Sequence, residues 1–68
     1  MSLVAKTNNI KIRMIDMEIN QQTLADDLKL NRVYINALIN GRQNSWRQAY
    51  RLSKYLGGTI DDYFIVED

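Results

Sequence analysis

Arg32, Val33, Asn36 and Ala37 are the residues whose types and spacing could do chemistry together. On a helix turning about 100° per residue, these four and Asn40 fall within an arc of about 140°. Tyr34, Ile35, Leu38 and Ile39 fill the rest of the wheel, so Ile35, Leu38 and Ile39 bury while the arc faces outward. A guanidinium can bond guanine O6 and N7, a carboxamide can bond adenine, and Val or Ala can touch a thymine methyl. Solvated helix faces generally carry Glu and Lys, and this arc carries neither. It suits base edges in a major groove. The plainer alternative is a neutral outer face of no consequence.

The charge pattern points the same way. The formal net charge is only +1, but its distribution is uneven. From Leu28 to Ile60 stand six basic residues (Lys29, Arg32, Arg42, Arg47, Arg51, Lys54) and no acid. All eight acids lie outside that window. A basic window that coincides with the candidate helix favours a polyanion partner over a merely solvated face.

Composition removes other classes of function. Sixty-eight residues with 46% apolar content allow one domain with one modest core. The chain has neither cysteine nor histidine, so disulfides, thiolate metal sites and the commonest general base are excluded. No apolar run could span a bilayer and no leader segment is expected. No enzyme, cofactor, metal, membrane or small-molecule ligand is expected, and the cytoplasm is the expected location. Gly57-Gly58 reads as a helix stop, not as a phosphate cradle.

Elements follow from capping chemistry. Proline is absent and no sustained period-2 alternation occurs, so the expected secondary structure is all helical. Asn8 or Asn9 caps a first helix to about Met17. Asn20 caps a second over about Gln21 to Leu28, and Lys29-Leu30 makes the turn. Asn31 caps a third through about Ile39, stopped by Asn40-Gly41. Ser45 caps a fourth over Trp46 to Leu56, and Thr59 with Asp62 opens a short fifth helix to about Phe64. Residues 1–7 are read as an N-terminal arm and 65–68 as a tail, within a single domain of residues 1–68.

Asn20-Gln21-Gln22-Thr23-Leu24-Ala25, then Leu28, Leu30, Asn31-Arg32-Val33-Tyr34-Ile35-Asn36, Leu38 and Asn40-Gly41, resemble the Xre/Cro-type helix-turn-helix of phage repressors and Cro proteins. The resemblance runs through Leu52, Leu56-Gly57 and Thr59-Ile60-Asp61, covering residues 8 to 64. It implies an all-α, compact five-helix lambda-repressor-like domain. It also implies that Arg32, Val33, Asn36 and Ala37 face base edges. Gln21 matches the family glutamine that bonds a phosphate and steadies the reading helix. Asn31, Tyr34, Asn40 and Arg42 match positions touching the sugar-phosphate backbone, with Arg47 opening the next helix nearby, and Arg42 is thereby expected to add affinity for all sequences alike. For Tyr34, partial packing on the second helix is an equal alternative.

Two departures stand out. The turn position that is usually glycine holds Lys29, so a non-glycine residue is expected in the left-handed region, with strain of about 1 kcal/mol. Many family members pair an Arg in the first helix with the Glu before Asn-Gly. Met14 and Ile39 occupy those positions here, and an apolar contact is expected instead.

The first helix is apolar on two sides, with Ile10, Met14 and Met17 on one and Ile12 and Ile15 on the other. Ile12 or Ile15 is expected to pack on the C-terminal segment, or on its copy in a second subunit. Trp46, Tyr50, Tyr55 and Tyr63 are expected in core or interface. The resulting expectation is a sequence-specific regulator, Cro-like and repressing phage or mobile-element genes. It binds double-stranded DNA as a weak or DNA-assisted homodimer on palindromic half-sites. The competing readings are a protein-interaction module of antirepressor or antitoxin type, and an architectural or excision-type DNA binder.

Overall fold

The computed structural model describes residues 2–67. In chain order the elements are β1 (Ser2–Ala5), α1 (Thr7–Asp16), α2 (Gln21–Leu28), α3 (Arg32–Ile39), α4 (Trp46–Tyr55), α5 (Ile60–Tyr63) and β2 (Phe64–Glu67). Five helices close around one core of Ile10, Met14, Leu24, Ala25, Leu28, Ile35, Leu38, Ile39, Ala49, Leu52, Leu56 and Phe64. Helices α2 to α5 open at the caps expected from the sequence. The Oδ1 of Asn20 accepts from Thr23 N–H at 2.8 Å, and that of Asn31 from Val33 N–H at 2.7 Å. Ser45 Oγ accepts from Gln48 N–H at 3.3 Å, and Asp62 Oδ2 from Thr59 N–H at 2.8 Å.

Helices α1 to α4 end in the same way. The residue after the last turn swings into the left-handed region, and the N–H beyond it reaches back to a carbonyl five residues earlier. Those bonds run from Ile19 to Met14 (3.0 Å), Leu30 to Ala25 (2.9 Å), Arg42 to Ala37 (2.8 Å) and Gly58 to Ser53 (3.0 Å). Gly41 and Gly57 adopt that conformation at φ 80° and 83°, where glycine carries no Cβ penalty. Lys29 does so at φ 57°, as its place in the turn predicts, and Glu18 does so as well.

Carbonyls left over at helix ends draw donors from distant elements. Arg13 Nε donates to Leu56 O at the end of α4 (2.8 Å), and Arg51 Nη2 to Leu28 O at the end of α2 (2.6 Å). Thr7 Oγ1 donates to Ile39 O at the end of α3 (2.7 Å). Each contact ties two elements and places positive charge or a hydroxyl where the helix dipole is negative.

The five-helix, lambda-repressor-like domain is as expected, and the two ends of the chain add a minor two-stranded sheet to it. Where an arm and a tail were expected, β1 and β2 pair antiparallel, with Leu3 opposite Val66 and Val4 opposite Ile65. Leu3, Ala5, Phe64 and Val66 turn inward, whereas Val4 and Ile65 face out. Met1 of that arm and Asp68 of that tail lie outside the described residues. The pairing also moves the start of α1. Lys6 N–H donates to Tyr63 O at 2.8 Å, so the chain leaves the sheet already committed and the helix opens at Thr7, ahead of Asn8 and Asn9. Lys6 holds the cap position without a side-chain bond.

The same pairing overturns the expected packing of the first helix within one chain. Phe64 is buried beneath the sheet, and Ile12 and Ile15 remain 58% and 74% exposed. Trp46 and Tyr50 are exposed on α4, outside the core, while Tyr55 and Tyr63 are half-buried. Met14 and Ile39, by contrast, are both buried in the core cluster, as the loss of the family's ion pair predicts.

Tyr55 fastens α4 to α2 through its hydroxyl, which donates to Asp27 Oδ2. That hydrogen bond, then burial and the carboxylate's charge, raise the phenol above its ordinary 10.0. A raised folded value means stability that is fully present below pH 10.0 and lost as pH climbs through the folded value. Urea midpoints measured from pH 9 upward (~9–12) should therefore fall more steeply for the wild type than for Tyr55→Phe. Parallel curves would show that the bond contributes nothing to folding.

Candidate nucleic-acid interface

Helix α3 stands at the surface because only one of its sides is apolar. Ile35, Leu38 and Ile39 enter the core, and α2 packs across it from the N-terminal side. On the opposite side, Arg32 and Val33 are exposed, Val33 by 76%, and Asn36 and Ala37 are half-buried. None of the four points into the core.

Side chains from three elements meet on this face. Asn36 Nδ2 donates to Gln21 Oε1 at 3.2 Å, joining α3 to the first residue of α2. Arg42 Nη2 donates to Asn36 Oδ1 at 2.6 Å. Arg42 is brought there by the stop after α3, where Gly41 reverses the chain and Arg42 N–H closes on Ala37 O. Arg32 adds a second guanidinium on the first turn. It shares an open groove of about 480 Å³ with Lys11, Met14, Ile15, Ile19, Gln21 and Asn36.

The remaining sequence candidates divide by what their polar groups already hold. Asn31 spends its Oδ1 on capping α3, which leaves its exposed Nδ2 for a ligand at that helix N-terminus. Asn40 Nδ2 donates to Asn36 O at 2.8 Å, so its amide is partly used in finishing the helix. Tyr34 is half-buried and packs against the core, the packing alternative weighed for it. Arg47 is exposed at the first turn of α4. Of the basic window, Arg51 turns inward to Gln48 Oε1 (2.9 Å) and Leu28 O, so it serves the scaffold.

Sequence reasoning missed the chain of bonds through Gln21, Asn36 and Arg42, although all three residues were candidates. Its only sequence signal is that Asn36 and Arg42 lie close to the glycine stop, with Gln21 at the far end of the preceding helix. Among the described residues no helix is long and apolar enough to cross a membrane, and no group of His, Cys, Asp or Glu could hold a metal ion.

Comparison with curated proteins and with solved structures returns no match. Comparison with protein families does: the model of the Cro/C1-type helix-turn-helix DNA-binding domain matches residues 9–68, which take in α1 from Asn9 onward, α2 to α5 and the entire face built on α3. The two capped helices joined at Lys29, the glycine stop at Gly41 and this match agree, and the chain belongs to the Cro/C1-type helix-turn-helix DNA-binding family.

Proposed function

We propose that this DNA-binding domain is a sequence-specific transcriptional regulator, Cro-like in action, that represses phage or mobile-element genes from the cytoplasm. The observation that carries the reading is the uncovered face of α3, with Arg32 and Val33 exposed at its first turn. In this reading α3 lies in the major groove. Arg32, Val33, Asn36 and Ala37 meet base edges, and Gln21, Asn31, Tyr34, Asn40, Arg42 and Arg47 meet the sugar-phosphate backbone.

Two subunits on palindromic half-sites about one helical turn apart would present two such helices on one face of the duplex. The exposed Ile12 and Ile15 are available to a second subunit, since the same chain leaves them uncovered. Sedimentation with and without operator DNA tests that arrangement, and a strict monomer in both conditions rejects it.

Selection from a randomised duplex pool supplies the preferred site. On that site Arg32→Ala should cost about 1–3 kcal/mol and relax discrimination at one base pair. An unchanged specificity ratio for the variant in a mobility-shift titration would remove Arg32 from the reading face.

A further inference from the structure

We infer that Arg42 is a positioning residue that holds the Asn36 carboxamide in one orientation against Gln21, and thereby sets which base Asn36 accepts. The inference rests on the reading that α3 meets base edges. It departs from the expectation that Arg42 adds affinity without preference.

The lock follows from what each group is able to do. A guanidinium only donates, so the Asn36 atom facing Arg42 Nη2 at 2.6 Å must be the carboxamide oxygen. The amide nitrogen then faces Gln21, whose Oε1 accepts from it at 3.2 Å. Turning the amide over would set its NH2 against the guanidinium and its oxygen against Oε1, losing both bonds at once. The backbone of each neighbour is anchored, and the guanidinium, which can only donate, sets the orientation. Arg42 is fixed by its own N–H to Ala37 O (2.8 Å) behind the left-handed Gly41. Gln21 is the first residue of α2, directly after the Asn20 cap. The bonds run one way, from Arg42 to Asn36 to Gln21, and leave the Gln21 NH2 as a donor for a phosphate oxygen.

After these bonds Asn36 retains one N–H and one oxygen lone pair. That remainder matches adenine, which offers the N7 acceptor and the N6 donor in the major groove. Guanine offers two acceptors, N7 and O6, so a carboxamide held this way sets its oxygen against O6. A carboxamide free to rotate escapes that penalty by swinging its oxygen away and offering guanine its NH2 alone, a movement that the Arg42 bond to Oδ1 opposes. Fixing its orientation is therefore a means of choosing adenine over guanine at one step.

The test uses sites selected by the wild-type chain, then competition titrations at the position whose preference Asn36→Ala removes. Arg42→Ala should reduce the adenine-over-guanine ratio there by about 10-fold, within the range one bidentate base contact supplies. In the Asn36→Ala background, Arg42→Ala should leave that ratio unchanged, because its effect passes through Asn36. Arg47→Ala, which removes an exposed cation bonded to no other side chain among the described residues, should weaken all duplexes and preserve the ratio. An Arg42→Ala chain that keeps the wild-type ratio overturns the inference while the recognition reading stands. A wild-type chain that binds random duplexes without preference overturns the recognition reading, and this inference with it.

Discussion

Replacing Ile39 by glutamate should unfold the domain in urea concentrations that the wild type withstands. Ile39 is 0% exposed and lies in the core with Met14. Many relatives in the family it resembles carry a glutamate at this position, paired with an arginine of the first helix. Here Met14 fills the arginine's position, so an introduced carboxylate would be buried with no charged partner. Such an unpaired buried charge costs about 3–5 kcal/mol. A domain of this size holds only about 0.05–0.15 kcal/mol of stability per residue, so the loss approaches the whole. Thr7 pins the Ile39 carbonyl and limits how far the backbone could shift to bring the charge to water. Adding Met14→Arg to Ile39→Glu should recover much of the midpoint, because it restores the missing partner. Wild-type stability in the single variant would show that position 39 is not sealed.

Affinity for operator DNA should collapse as salt rises. If each of two subunits neutralises roughly four to six phosphates, log K should fall against log salt with a slope of about −7 to −11. Between 50 and 200 mM salt (~4-fold) that is a loss of about 10⁴-fold or more. Arg47→Ala should make the slope shallower by about 1, whereas Arg51→Ala should leave it unchanged, because Arg51 is turned inward onto Leu28 O. A fluorescence-anisotropy titration series over salt separates these cases. A shallow wild-type slope would place few phosphates against the basic window.

What could be read from the sequence was what local chemistry decides. Asn20, Asn31 and Ser45 announce helix starts because their side chains bond backbone two or three residues on, within one turn. Lys29 and Gly41 announce the stops because the left-handed conformation is a property of single residues. The apolar side of α3 was likewise legible from its period. The sheet was not, because four-residue strands are too short for alternation to register and each finds its partner at the other end of the chain. Charge pattern alone placed Arg51 with the DNA-facing cations. Only its proximity to the end of α2 reveals it as a tie between helices. The orientation of the Asn36 amide was invisible for the same reason: Gln21 and Arg42 approach it from different elements.

The β1–β2 clasp makes folding order a matter of chain entropy. The helix-turn-helix assembles from neighbours in sequence, while the sheet must close a ring through almost the whole polypeptide, which costs more and comes later. During synthesis α2 and α3 can therefore dock before β2 has emerged, with β1 left waiting as a loose strand. On loop-closure entropy the helix-turn-helix half is expected to form first, with the clasp then delivering Phe64 to the core.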